Sequence, residues 1–377
     1  MLLVYLSKNS WWDKRKARKV LLPLAFSRLP GHRCLLFNSA YPWWLRRIHQ
    51  RYWQNPDATF RVITPRRWLP LQRFRWIRRF NQCMQSREVK RQLQSMLATR
   101  KERVAFIISD PEIVYLARRL RLEGWPCYYD WSERWEDYAV AIGRQSQQKI
   151  QNINEILDNV DGVVVVSREL ETEATTRNIP CLHLPNAVSD DFINGLEDAK
   201  QKPLPKILAN CPSPRVAHVG NVNPVWIDWD CLITSAAANP DVSFCMIGGG
   251  GKKGIPSQIP SNVHLLGLVP YEDLPSVLTH IQVFMVLYKP DKTAGGDPTK
   301  LYEYLATGRP IVSTMHPRSL EMQHLLTLAR TPEEFANQIQ RGLTGDNPIS
   351  QRARKEAIAH HRWSIRAQRL LAWLQAN

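Results

Sequence analysis

Short, continuously apolar runs recur along this sequence, each separated from the next by a longer amphipathic stretch. Such runs without alternation are typical of strands buried on both faces, and they predict a parallel sheet with helical crossovers. We therefore predict a doubly wound α/β domain over residues 1–196. The opening run is predicted to be its first strand and not a signal peptide, because no basic residues precede it. The runs are LLVYL (2–6), RCLLFN (33–38), VAFIIS (104–109), CYYD (127–130), GVVVVS (162–167) and CLHLP (181–185).

A proline-rich break separates this pattern from a second one of the same kind. Residues 197–213 are predicted to be a linker. Five further runs predict a second α/β domain over 214–350, and residues 351–377 a C-terminal helix that packs back toward the N-terminal domain. Two such domains facing each other would form a cleft, where ligands bind in open α/β folds. Two unrelated α/β domains on a string are the alternative. The runs are RVAHVG (215–220), SFCMIGGGG (243–251), NVHLLG (262–267), VFMVLY (283–288) and PIVST (310–314).

The positive charge of the chain is concentrated in its first quarter. Residues 1–100 contain 22 Lys and Arg against 3 Asp and Glu, whereas the other 277 residues contain 29 against 31, which together give the net charge of +17. The same quarter holds 7 of the 14 tryptophans, repeatedly beside basic residues. This combination predicts an anionic partner, either a membrane surface or a single-stranded nucleic acid. A solvated basic face with core tryptophans is the alternative.

Other classes of protein are excluded by simple patterns. No apolar stretch approaches the ~20 residues that a membrane-spanning helix needs. The seven cysteines are scattered singly, without a CxxC pair, which favours reduced thiols in the cytoplasm over a disulfide or zinc framework. No DxD motif stands in a strand-end context and no histidine pair has ligand spacing, so no metal site is predicted.

The segment GGDPTKLYEYLATGRPIVST (295–314) has the clearest chemistry. Gly295 and Gly296 allow a close approach of backbone to a ligand. A helix over 299–307 would direct its free amides, its dipole and Lys300 at an anion. Glu303 shares the face of Lys300 and can accept hydrogen bonds from hydroxyls, such as those of a ribose. An ordinary surface Lys–Glu pair explains these residues equally well.

Within this segment, KLYEYLATGRPIVST resembles the sugar-nucleotide signature of GT-B glycosyltransferases. The resemblance is closest to the family-four type and, within it, to the teichuronic-acid and exopolysaccharide group. Further segments resemble the family in order and spacing, and the resemblance implies two doubly wound, Rossmann-like domains facing across a cleft. These segments are 4–25, 106–138, 161–188, 214–222, 242–250 and 262–278.

The resemblance implies a nucleotide-diphosphate-sugar donor held by the second domain. Glu303 would bind ribose or sugar hydroxyls, and Lys300 with Thr299 at the helix N-terminus would neutralise the pyrophosphate. Gly220 and Asn221 would lie beside the phosphates, and Gly248 against the base or ribose. Neither a metal nor another cofactor is expected.

One position departs from the family pattern and bears on the mechanism. Retaining members carry two glutamates separated by seven residues, but Gly295 stands where the first would be. An inverting mechanism therefore stays open, and it needs a general base for the acceptor hydroxyl. The candidates are Asp130 at a strand end, Glu133 on the following helical turn, and Asp13. Asp130 is alternatively the N-cap of a helix over 131–148.

The family also favours a membrane over a nucleic acid as partner of the basic quarter. We expect a peripheral enzyme on the cytoplasmic face of the membrane that glycosylates a lipid-linked or polysaccharide acceptor. A nucleic-acid-binding protein, and a nucleotide-sugar epimerase or hydrolase of the same fold, are the alternatives. The residues predicted to dock on the membrane are Trp11, Trp12, Lys14, Arg15, Trp43, Trp44, Arg46, Arg47, Trp68 and Trp76.

Overall fold

The computed structural model describes most of the chain as two compact units. The first unit comprises Met1–Pro185 together with Trp363–Asn377, and the second comprises Asn186–Arg362. The described residues are 1–7, 16–38, 41–42, 58–64, 66–70, 74–98, 102–134, 144–250, 255–289, 295–345 and 349–377.

A seven-stranded parallel sheet forms the centre of the first unit. The strands of this unit are β1 (Leu2–Leu6), β2 (Arg33–Phe37), β3 (Tyr41–Pro42), β4 (Phe60–Ile63), β5 (Arg66–Arg67), β6 (Val104–Ile108), β7 (Cys127–Trp131), β8 (Gly162–Val165) and β9 (Cys181–His183). The sheet order is β4-β2-β1-β6-β7-β8-β9, and β3 pairs separately with β5. Every residue of β1, β6 and β7 is buried, as the continuous apolar runs predict.

Helices connect these strands. They are α1 (Arg18–Ser27), α2 (Arg75–Ala98), α3 (Val114–Leu122), α4 (Arg144–Leu157) and α5 (Arg168–Thr176). The local sequence explains their ends: Ser167, for example, caps α5 by accepting a hydrogen bond from the Leu170 amide. The apolar core lies between the sheet and these helices and includes alternate residues of β1 and β6 together with Leu116 and Leu120 of α3.

A six-stranded parallel sheet with the same topology forms the centre of the second unit. Its strands are β10 (Arg215–Val219), β11 (Ser243–Ile247), β12 (Val263–Gly267), β13 (Val283–Val286), β14 (Ile311–Ser313) and β15 (Thr327–Leu328). The order β12-β11-β10-β13-β14-β15 reverses between β10 and β13, as the order of the first sheet reverses between β1 and β6. The two sheets therefore have the strand order of doubly wound folds.

Seven helices that the structure describes in the second unit are α6 (Asp190–Ala199), α7 (Trp229–Ala238), α8 (Leu274–Leu278), α9 (Thr299–Thr307), α10 (Pro317–Glu321), α11 (Pro332–Thr344) and α12 (Gln351–Ile358). A final helix, α13 (Trp363–Ala376), packs on α1 of the first unit. The C-terminal stretch is therefore two helices and not the single one that its pattern predicts. The chain breaks between them because the His361 carbonyl accepts a hydrogen bond from the Val188 amide.

The division of the chain also differs from the predicted boundary at residue 196. The first unit ends at Pro185, and α6 belongs to the second because Phe192 packs on Tyr271, with 5.3 Å between ring centroids. Residues 197–213 lie within the second unit, where Leu208 and Cys211 are fully buried. Their prolines therefore shape a packed segment and not an exposed linker.

Candidate functional site

The carboxyl ends of β10 and β13 are adjacent at the point where the strand order of the second sheet reverses. Ligands of open α/β sheets bind in the crevice outside such a reversal. Gly220 follows β10 directly, and Tyr288 follows β13 after one residue. The first turn of α9 reaches the same point, because Lys300 contacts His218 of β10. The topology and the predicted anion-binding helix therefore coincide.

Two glycines at this point allow the backbone of two loops to come very close together. Gly220 has φ of +128° and Gly248 has φ of +152°, in the region that favours glycine. A Cβ on Gly248 would lie 1.6 Å from the Gly220 carbonyl oxygen. A Cβ on Gly220 would lie 2.8 Å from Lys300 Nζ. The structure thus brings together three residues of the predicted donor site.

Helix α9 directs its N-terminus toward this point and is fixed to β10. It begins at Thr299, and its N-cap is Pro298, which has no side-chain acceptor. The positive end of the helix dipole therefore has no side-chain cap on its own N-cap residue. The Tyr304 hydroxyl accepts a hydrogen bond of 2.7 Å from the Val219 amide, and its ring stacks on Phe284 with 4.3 Å between centroids. Tyr304 thereby joins α9 to both strands of the reversal.

Lys300 is buried and its ammonium group lies between two aromatic rings. Its Nζ is 2.7 Å from His218 Nε2 and 4.5 Å from the centre of the Tyr288 ring. Burial and, next, the positive charge of Lys300 lower the pKa of His218 well below its ordinary value. His218 is therefore neutral, and Lys300 donates to it.

Glu303 is buried one turn further along α9. Its side chain is 6% exposed, and burial raises its pKa to about 7, although the nearby Lys300 charge acts in the opposite direction. A buried carboxyl group that ionises near neutral pH is typical of functional sites, where hydroxyl groups can bind to it. This environment differs from the surface Lys–Glu pair that the sequence left open.

The loop before α9 is anchored by Asp297. Its carboxylate accepts a hydrogen bond of 2.5 Å from the Asn186 amide and one of 2.8 Å from the Tyr302 hydroxyl, and lies 3.3 Å from Arg318. Gly295, which is buried, and Gly296, which is half-buried, directly precede Asp297.

The loop after β10 carries Asn221, the remaining predicted donor residue. Its Oδ1 accepts a hydrogen bond of 3.0 Å from the Asn223 amide. The side chain thus closes a turn that continues the backbone from Gly220. Asn221 therefore lies beside the point of reversal while its carbonyl oxygen stabilises the loop.

In the first unit, Asp130 is a buried residue of β7 and its carboxylate has charged and polar partners. Arg18 Nε donates to Asp130 Oδ1 at 2.8 Å, and the Tyr5 hydroxyl donates to Oδ2. Arg18 also donates to the Leu184 carbonyl at 2.8 Å. The alternative that Asp130 is an N-cap is wrong, because β7 continues through Trp131. Its role as general base stays a prediction.

The other two predicted acids differ in what can be said of them. Glu133 is half-buried and follows β7 in residues 132–134, which have no helical structure, so its predicted place on a helical turn is wrong. The chain leaves the strand at this point, and the first described helical residue is Arg144. Asp13 lies outside the described residues.

Two of the ten predicted docking residues fall within the described part of the chain. Trp68 is 40% exposed and Trp76, on α2, is 64% exposed. Phe74 and Phe80 are exposed beside them, although the sequence analysis did not single them out. Their position in RFRWIRRF was a usable signal. Among the described residues, no helix combines the length and hydropathy that crossing a membrane requires. The predicted docking residues outside the described part are Trp11, Trp12, Lys14, Arg15, Trp43, Trp44, Arg46 and Arg47.

The sequence analysis also missed His218 and Tyr288, the two aromatic partners of Lys300. His218 is a polar residue in the otherwise apolar interior of β10, which was a signal that could have been used. Tyr288 ends an apolar run and carried no such signal. Within the described ranges, no three His, Cys, Asp or Glu side chains cluster as a set of metal ligands.

Known structures share this fold. HepE of Anabaena, solved with UDP and glucose, has a TM-score of 0.66 and 12% identity, with 100% of this chain and 99% of that chain covered. HepE in complex with UDP-glucose gives 0.66 and 13%, with both chains fully covered. The alpha,alpha-trehalose-phosphate synthase (UDP-forming) of Burkholderia xenovorans gives 0.63 and 11%, with 99% of each chain covered. The predicted GT-B fold of two Rossmann-like domains is thereby confirmed.

The sequence itself matches one family over the second unit. Residues 213–344, which contain β10–β15 and α9, match the family described as Glycosyl transferases group 1. No curated protein matches the chain. The match confirms the predicted enzyme class, and residues 213–344 are a glycosyl transferase group 1 domain of a glycosyltransferase.

Proposed function

We propose that this chain transfers a sugar from a nucleotide-diphosphate donor to a lipid-linked or polysaccharide acceptor. The observation that carries the proposal is the pair Lys300 and Glu303, buried one turn apart on α9 beside Gly220 and Gly248. The group 1 match covers these residues, and HepE, of the same fold, was solved with UDP-glucose. Pyrophosphate needs a cationic, amide-rich site and a ribose needs a hydroxyl acceptor, and α9 has both.

Each donor-site residue has a distinct role in this proposal. Lys300 and the α9 N-terminus at Thr299 bind the pyrophosphate, and Glu303 accepts hydrogen bonds from ribose or sugar hydroxyls. The close-packed glycines admit the phosphates to the backbone, with Asn221 shaping the adjacent turn. Gly295 and Gly296 border the same helix end. Because α9 and Lys300 supply positive charge, we propose that no divalent cation is needed for catalysis.

The acceptor base is proposed among Asp130, Glu133 and Asp13. Asp130 is paired with Arg18, so proton abstraction by its carboxylate would have to compete with that ion pair. We expect Asp130→Asn to lower kcat while the donor KM stays within about threefold, and Glu133→Gln to leave both unchanged. If instead Glu133→Gln lowers kcat and Asp130→Asn does not, Glu133 is the base.

The decisive experiment is a donor panel. The purified chain is incubated with UDP-, GDP- and dTDP-sugars, with and without undecaprenyl-phosphate-linked and oligosaccharide acceptors, and products are identified by mass spectrometry. We expect a glycosylated acceptor, slow donor hydrolysis without acceptor, and equal turnover in EDTA. Rapid hydrolysis or epimerisation independent of acceptor would contradict the proposal, and Glu303→Ala should abolish donor saturation.

We further propose that the first unit docks on the cytoplasmic face of the membrane. The exposed aromatic residues Trp68, Phe74, Trp76 and Phe80 support this, because they accompany 22 basic residues in the first hundred. Tryptophan favours the interfacial region of a bilayer, and Lys or Arg contribute about 1 kcal/mol each near anionic lipid.

Co-sedimentation with vesicles tests this docking. Vesicles containing about one third phosphatidylglycerol should bind the chain, and Trp68→Ser with Trp76→Ser should weaken binding several-fold. Leu122→Ser is the matched control, because Leu122 is 79% exposed on α3. Retention of single-stranded nucleic acid at physiological salt without vesicle binding would favour the nucleic-acid alternative instead.

A further inference from the structure

The bond between His218 and Lys300 fixes the protonation state of the histidine. An ammonium group has three donors and no acceptor, so the 2.7 Å contact requires a lone pair on His218 Nε2. The ring proton is then on Nδ1, and the imidazole is neutral. The ring is completely buried within β10, which also favours the neutral form.

A neutral partner distinguishes Lys300 from other buried cations in the described residues. Arg18 pairs with the Asp130 carboxylate, and Arg318 pairs with Asp297. A carboxylate both orients a cation and cancels its charge, whereas an imidazole orients it without contributing negative charge. The His218 bond therefore leaves the positive charge of Lys300 undiminished.

The position of the ammonium group is equally defined. Lys300 Nζ lies where a Cβ of Gly220 would be only 2.8 Å away, at the carboxyl end of β10. The face of the Tyr288 ring lies 4.5 Å away on another side and gives cation–π stabilisation, again without a full negative charge. The two rings thus hold the ammonium group at the strand reversal.

We propose that His218 is a positioning residue: it is a neutral hydrogen-bond acceptor that directs the Lys300 ammonium at the donor pyrophosphate without cancelling its charge. This inference rests on the proposed function. In the transfer step, the bond between the sugar C1 and the β-phosphate oxygen breaks, and its electron pair stays on that oxygen. The acceptor oxygen bonds to C1, and its proton passes to the base. The nucleoside diphosphate leaves with one more negative charge, which Lys300 stabilises.

Two variants of equal shape separate charge from packing. His218→Gln places an amide near the position of Nε2 and can still accept from Lys300, whereas His218→Glu places a carboxylate there. We expect the Gln variant to keep the wild-type ratio of monophosphate to diphosphate dissociation constants within about threefold. The Glu variant should reduce this ratio about tenfold or more, because its charge competes with the second phosphate for Lys300.

Isothermal titration of UDP and UMP, GDP and GMP, and dTDP and dTMP measures these ratios, with thermal midpoints as a folding control. If the Glu variant does not fold, His218→Leu replaces it, and loss of the diphosphate preference in Leu but not in Gln supports the inference. Equal ratios in wild type, Gln and Glu (or Leu) would overturn it. Absence of any nucleoside diphosphate binding by the wild type would overturn the proposed function as well.

Discussion

We expect donor affinity to depend on pH through Glu303. The pKa of this buried carboxyl is raised to about 7, and a ribose or sugar diol binds best to its ionised form, which accepts hydrogen bonds at both oxygens. With a pKa of about 7, about one tenth of the protein is ionised at pH 6 and about nine tenths at pH 8. The dissociation constant of the donor should therefore fall about tenfold between these pH values.

The assay is isothermal titration of the intact nucleotide-sugar, whose phosphates are both esterified and do not titrate in this range. Repeating the titration at pH 6 in buffers of different ionisation enthalpy should show release of close to one proton per donor bound. Glu303→Gln is the isosteric control, because it keeps one acceptor oxygen but cannot ionise. Its affinity should be lower than that of the wild type at pH 8 and nearly independent of pH. Equal pH dependence in wild type and variant would refute this reasoning.

The same ionisation affects the stability of the second unit with the opposite sign. The pKa in the folded state, about 7, exceeds the ordinary value of 4.5, so the folded state binds more protons between these pH values. The free energy of unfolding should therefore decrease as pH rises from 4.5 to 7 and then level off, by up to about 3 kcal/mol. Urea unfolding of wild type and Glu303→Gln at pH 5 and pH 8 measures this, and the variant should lack that part of the decrease.

Two further substitutions test the geometry of the site. Gly248→Ala should disrupt the site, since its Cβ would lie 1.6 Å from the Gly220 carbonyl oxygen; Gly124→Ala, at φ of +81° with open space around it, is the control for backbone strain alone. Nucleotide titration and thermal midpoints of both variants are the readouts, and equal effects would contradict the close approach. Tyr304→Phe should lower the free energy of unfolding by about 1–3 kcal/mol, because the Val219 amide loses its acceptor; an unchanged urea midpoint would contradict this.

Much of the fold could be predicted because it depends on local patterns. Buried parallel strands require continuous apolar runs, and those runs identify the principal strands of both sheets. The helix over 299–307 and its Lys–Glu face could be predicted for the same reason, since a helix places neighbouring residues on one face. The start of α9 with Pro298 follows from the fixed φ of proline.

The partners of the site residues could not be predicted because they are distant in sequence. His218 and Lys300 are 82 residues apart, and Arg18 and Asp130 are 112 residues apart. Only the strand order of a sheet brings such residues together, and no local pattern specifies it. The boundary between the units was missed for a related reason, since the packing of Phe192 on Tyr271 depends on a helix 80 residues downstream.

The close approach of Gly220 and Gly248 has a practical consequence for engineering donor specificity. At these two positions the site depends on the absence of side-chain atoms, and neither loop can accept a larger residue through a change in the other, because the contact involves backbone. A saturation library that includes them would consist largely of misfolded members. Diversity is better placed at Asn221 and Gly296, which border the same crevice and are only half-buried.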